Sequence, residues 1–188
     1  MCFSFEVSLL TFVTSWSISL YLLNKGLTKE RKQDVIFLMI FSLMQLPDAI
    51  FWYTNMKRDK INYWTTSFFI PLILSMQILY NVYVRRKNKN NLINIAVVLF
   101  IIYMFIRFNG YSKSLCCNKF TSPIWGSKEL KLWELLIFLL LIMYPRWNVI
   151  LTVLFVIIPL IHLIAGGAYS SLWCAVSNIV AFYYLYKY

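Results

Sequence analysis

Charge is scarce in this sequence. Only 13% of its 188 residues are charged and only seven are acidic, where a soluble domain carries about a quarter charged residues. With 61% hydrophobic residues, a fold of this size cannot hide its apolar surface from water, so an ordinary soluble enzyme is excluded. Disorder is excluded too, because disordered chains are poor in apolar residues. Histidine occurs once, at His162, which rules out histidine-only metal sites and paired-histidine motifs. No segment alternates in the manner of barrel strands, and no internal repeat stands out. The first apolar run has neither a basic leader nor a small-residue cleavage site after it, so it reads as a span and not as a signal peptide.

What is present is a series of apolar runs of about 20 residues, the length a helix needs to cross a bilayer. They fall at about 5–23, 34–54, 61–84, 92–108, 130–144, 147–164 and 170–186. In lipid each must be helical, because only a helix satisfies its own backbone groups there. The expected fold is therefore all-α, a polytopic membrane protein built as a single bundle of seven transmembrane helices. The fifth run is short and carries Glu134, and Pro145-Arg146 links it tightly to the sixth. One connection is long, 109–129, with Gly110, Cys116-Cys117, Pro123 and Gly126. It reads as a connector or as a lid.

The net charge of +11 comes from short clusters between spans: Lys25, Lys29, Arg31 and Lys32; Lys57, Arg58 and Lys60; Arg85, Arg86, Lys87 and Lys89. Such flanking clusters meet lipid headgroups, not nucleic acid. With the N-terminus outside, ten Lys and Arg lie inside and eight outside, so the positive-inside rule places the C-terminus inside. The partner expected throughout is the lipid bilayer. The preference for Ile, Lys, Asn, Phe and Tyr suits AT-rich codons.

Parity assigns depth. Span two runs back toward the N-terminal face, and Asp48 lies 14 residues beyond Asp34, roughly 21 Å along a helix. By the same alternation Glu6, Asp48, Glu134, His162 and Cys174 fall in one leaflet, under the long loop. Intramembrane ionisable residues usually face a bundle interior or a wet cavity, so one polar pocket is expected there. Gln45, Asp48 and Trp52 share a helix face at i, i+3, i+7. Pro47 beside them should loosen the helix and free the carbonyl of Phe41 or Ser42. Ser8, Thr11, Ser15 and Ser19 form a small-residue stripe suited to helix packing, and Ser171, Cys174 and Asn178 form a second polar face. A metal site from His162, Cys174 and a carboxylate has no supporting spacing, and no cofactor is implied. Cys2, Cys116, Cys117 and Cys174 map to one side, where Cys2 pairs with Cys116 or Cys117 if that side is oxidising and all stay thiols if it is cytosolic.

Three motifs carry a resemblance: Met1-Cys2-Phe3-Ser4-Phe5-Glu6-Val7-Ser8; Gln45, Asp48 and Trp52; and Ser171-Leu172-Trp173-Cys174. With these the chain resembles the small multi-pass membrane proteins of bacteria and large DNA viruses that begin Met-Cys-Phe-Ser. It has Asp48 where that family more often has Glu. That family brings no activity with it; the resemblance implies that the three motifs form one unit.

The leading expectation is a small transporter or channel-like protein. Its pocket comprises Glu6, Gln45, Asp48, Trp52, Ser171, Trp173 and Cys174, with Cys2, Ser4, Glu134 and His162 beside it, and it holds a proton, a cation or a small polar solute. The alternative is a membrane-embedded enzyme with Cys174 or Cys2 as nucleophile and Glu6 or His162 as base, or a receptor-like or structural protein without turnover. A retinal protein is disfavoured, since the last span has no lysine before Lys187.

Overall fold

A computed structural model describes residues 4–85, 87, 89–114, 123–128, 130–143 and 169–188, with 114 and 169–175 described by backbone alone. The chain is mainly helical. Three helical rods, Phe5–Leu23, Lys29–Tyr53 and Lys60–Arg85, are long and apolar enough to cross a membrane by length and composition; Asn91–Arg107 and Leu132–Met143 are shorter apolar helices.

The first rod is α1, Phe5–Leu23. Ser4 caps it: its hydroxyl accepts from the Val7 N–H at 3.2 Å, and Glu6 sits in the first turn, where a negative charge suits the helix dipole. Ser8, Ser15 and Ser19 are buried on a helix that packs against its three neighbours in the second rod and at the C-terminus. Small hydroxyl side chains permit this close approach.

The second rod begins at Lys29, five residues before the expected start, and is broken. Helix α2, Lys29–Ser42, ends in a turn at Leu43 and Met44, and α3, Gln45–Tyr53, follows. Pro47 has no N–H to offer the carbonyl of Leu43 four residues back, and its ring crowds that oxygen. The Leu43 carbonyl takes the Leu46 N–H instead, at 3.0 Å. The loosening therefore does not free Phe41 as expected, whose carbonyl accepts from the Met44 N–H at 3.4 Å.

Pro71 distorts the third rod by the same chemistry. After α4, Lys60–Trp64, the chain widens into a π-helical turn, Thr65–Phe69, in which the Ile70 N–H reaches back five residues to the Thr65 carbonyl. With Pro71 in its first turn, α5, Ile70–Leu79, then resumes. A second π-helical turn, Tyr80–Arg85, closes the rod and buries Asn81, Val82 and Arg85. Such π turns recur where an insertion or a proline disturbs the ladder.

Helix α6, Asn91–Arg107, is capped by Asn90, which accepts from the Leu92 N–H at 2.9 Å. It buries only Val97 and Met104, and its Leu99 and Ile106 are 62% and 70% exposed. The long connection holds a two-stranded antiparallel ladder that the sequence did not announce: β1, Lys113–Ser114, pairs with β2, Pro123–Ile124. Helix α7 is Leu132–Met143, and α8 is Tyr169–Lys187. The expected span at 147–164 lies outside the described residues.

Polar side chains fix the register between helices. The Ser15 hydroxyl donates to Asn178 Oδ1 at 3.0 Å, and the Gln45 amide donates to the Ser177 hydroxyl. At the opposite end Arg85 bonds Asp34 through Nη2 at 2.8 Å and Nε at 3.1 Å, and Tyr188 reaches the same carboxylate at 3.5 Å. The end of α8 thus meets the start of α2, so α8 runs parallel to α1. Arg85 corrects the sequence reading: expected among headgroup-facing cations, it is buried, paired with Asp34 and stacked over the Phe37 ring at 4.6 Å. Burial pushes the Tyr188 phenol up to about 12, and the neighbouring Asp34 charge adds to the shift.

Arg85→Leu leaves the half-buried Asp34 charge without its main partner and should destabilise the protein by about 3 kcal/mol. Thermal unfolding in detergent measures this. Adding Asp34→Asn should recover much of the loss, and a double variant no better than the single one would contradict a paired charge.

Candidate functional site

Asp48 lies in the first turn of α3, just past the break that Pro47 imposes, and its side chain is fully buried. The indole Nε1–H of Trp125 donates to its Oδ1 at 2.8 Å. Trp125 follows β2 in the long connection and is itself buried. Trp125 thus brings this part of the long connection, read as a connector or as a lid, against the carboxylate.

The loop is held down by polar groups at the start of the third rod. Asp59 caps α4, accepting from the Asn62 N–H at 2.8 Å, which turns Asn62 inward. The Asn62 side chain then treats Ser112 as a strand would: its Oδ1 accepts from the Ser112 N–H at 2.9 Å and its Nδ2 donates to the Ser112 carbonyl at 3.1 Å. Thr66 lies one helical turn on, and its hydroxyl sits 2.8 Å from that of Ser112. The Ser112 hydroxyl also accepts from the Gly126 N–H at 3.0 Å. Gly126 has φ +85, a left-handed conformation suited to glycine, and it turns the chain directly after Trp125. Ser67 bonds both the N–H and the carbonyl of Gly110, at 3.0 and 3.2 Å. Asn62, Thr66 and Ser112 are all buried, so the clamp is interior.

A second polar group stands beside the lid. Glu134, in the first turn of α7, accepts from Arg107 Nε at 2.9 Å, from the Lys131 N–H at 2.6 Å and from the Tyr103 hydroxyl. Arg107 also holds the Lys128 carbonyl at 3.0 Å. Between Glu134 and the lid lies a cavity of about 30 Å³ lined by Leu74, Tyr103, Met104, Arg107, Phe108, Trp125, Glu134 and Phe138, among others. That is about the volume of two waters, but the lining is almost wholly apolar. Trp125 is the shared element, since it borders this cavity and donates to Asp48.

The structure gathers some of the expected residues and leaves others apart. Gln45 and Asp48 are buried on α3, and Trp52 is half-buried one turn further on. Glu134 is buried at the same end, but its partners are Arg107 and Tyr103. Glu6 is exposed at the first turn of α1 and is not buried with Asp48. Ser4 is a helix cap. Ser171, Trp173 and Cys174 lie in the opening turns of α8, with their side chains outside the description. Cys2, Cys116, Cys117 and His162 lie outside the described residues. Among the described residues no group of three or more His, Cys, Asp or Glu is placed to hold a metal ion.

Sequence reasoning passed over Trp125, Asn62, Thr66, Ser112, Tyr103 and Arg107. The single tryptophan of the 109–129 loop was the available signal for the first. Asn62 follows the capping Asp59 by three residues, but nothing local reveals its partner 50 positions away. Compared with known protein families, with curated proteins and with solved structures, the chain matches none.

Asn62→Ala should strip two partners from the buried Ser112 backbone at a cost of about 1–3 kcal/mol and release the lid. Limited proteolysis then cuts faster between 109 and 128 than in the parent, and equal cutting rates would contradict the clamp.

Proposed function

We propose that this chain is an integral membrane protein of seven crossings, N-terminus outside and C-terminus inside, that exchanges protons or a small cation at Asp48 beneath the Trp125 lid. The observation that carries the reading is a fully buried carboxylate at a helix break, hydrogen-bonded to an indole from a loop that is clamped over it. Carboxylates inside membrane helices are expensive to insert and mark ion or proton paths. Broken helices line such sites in transporters.

Other features support membrane embedding. Large apolar side chains on α1 and α6, such as Leu10, Leu99 and Ile106, are more than half exposed, a surface that suits acyl chains and not water. Asn81 bonds the Leu141 carbonyl at 2.7 Å, which sets the end of α7 at the Arg85 end of the bundle, while α8 ends there too and so begins at the opposite face. A seventh crossing between α7 and α8 is consistent with that arrangement.

Purified protein in proteoliposomes, assayed for proton flux with an entrapped pH dye and for Na⁺ and K⁺ flux, should conduct one of the three. Asp48→Asn should abolish that flux while the melting temperature in detergent stays near that of the parent. Flux undiminished by Asp48→Asn removes the carboxylate from the mechanism.

A further inference from the structure

The Asp34–Arg85 pair places two helices at one level and so allows heights to be compared along the bundle. Arg85, Asn81 and Gln77 follow at four-residue steps on the third rod, on one face. Asn81 and Gln77 lie four and eight residues inward from Arg85, the first of them within the π-helical turn. On the second rod, Gln45 and Asp48 lie 11 and 14 residues inward from Asp34, past the break at Leu43 and Met44. Polar side chains thus recur along both rods, from the Asp34 end to the carboxylate under the lid. All five of Arg85, Asn81, Gln77, Gln45 and Asp48 are buried.

The two ends of this series are satisfied by protein. Arg85 holds Asp34 and donates to Asn81 Oδ1 at 3.1 Å, and Asp48 takes the Trp125 indole. The middle is not. Neither amide atom of Gln77, nor Oε1 of Gln45, has a hydrogen-bond partner among the described residues. Among the described residues they are three of four buried side-chain N and O atoms in that condition. Buried polar groups without a protein partner are normally met by ordered water, and an amide offers both donors and acceptors for it. Leucine or methionine would fill the same space without that demand.

We propose that Gln77 and Gln45 are the central rungs of a file of ordered water that links the Asp34–Arg85 end to Asp48 and carries protons between them. The inference rests on the reading of Asp48 as an exchange site and assigns its connection to the inner face. Each hop breaks one O–H bond as the next forms, so no chemical change remains once the water molecules reorient. Asn81 stands where the file meets the Arg85 guanidinium. Asp34, the Tyr188 phenol that contacts it and Arg31, stacked over the Tyr188 ring at 5.0 Å, are further charged or titratable groups at this end.

The test has two arms. Water-edited solid-state NMR on protein with ¹⁵N-labelled glutamine side chains, in lipid bilayers, should show rapid transfer from water to Gln77 Nε2. Absence of transfer overturns the file. In the second arm, Gln77→Leu should reduce proteoliposome flux to the Asp48→Asn background without raising the melting temperature. Flux at the parental rate together with a raised melting temperature is the signature of a dry, merely unpaired amide and overturns the proposal. If the parent shows no flux, the exchange reading fails by itself, and a dry Gln77 in the NMR arm then overturns the file as well.

Discussion

The hydrogen bond between Trp125 and Asp48 is the interaction on which one whole end of the molecule depends. A carboxylate with no exposed surface must be met by donors from the protein, and one comes from a loop 77 positions away in sequence. Bringing that indole inward obliges the surrounding loop backbone to come with it. A buried backbone needs partners, and Asn62, Thr66 and Ser67 supply them. The short β1–β2 ladder and the left-handed Gly126 follow from the same need, since they turn the chain so that Trp125 points down. Remove the carboxylate from the interior and the loop loses its reason to be clamped.

The opposite end obeys the same constraint with the signs exchanged. There a guanidinium is buried, and Asp34, Asn81 and the face of Phe37 surround it. Between the two ends, two prolines interrupt helices that apolar composition alone would have kept straight. Pro47 breaks the second rod just before Asp48 and Pro71 widens the third beside the lid clamp, so irregular backbone occurs where polar groups gather. Helix α6, without a proline, remains regular and turns large apolar side chains such as Leu99 and Ile106 outward, while Tyr103 and Arg107 at its end meet Glu134.

Much of this layout was legible beforehand. The span expected at 5–23 coincides with α1, and those at 61–84, 92–108 and 170–186 differ from the observed helices by about one residue at each end. Local signals suffice there, because a run of apolar residues closed by charges and capping side chains specifies a helix without reference to the rest of the chain. The second rod departs at its start because Lys29–Gln33 are polar yet good helix formers, and hydropathy alone does not register them. Parity placed Asp48 and the long loop at one face, which agrees with the loop's contact to it. The same reasoning grouped Glu6 with Asp48, but parity assigns a height and not a direction, and Glu6 faces outward as a first-turn charge.

The amino-acid sequence by itself determined the helical class and the positions of most of the rods, because these depend on hydropathy and on local capping and breaking signals. Only the tertiary structure decided who meets whom. That Asn62 grips Ser112, that Arg85 is buried against Asp34 and not free among headgroups, and that a loop tryptophan seals Asp48 are all long-range pairings. Each is selected by the need of a buried polar atom for a partner, which no local stretch of sequence can name.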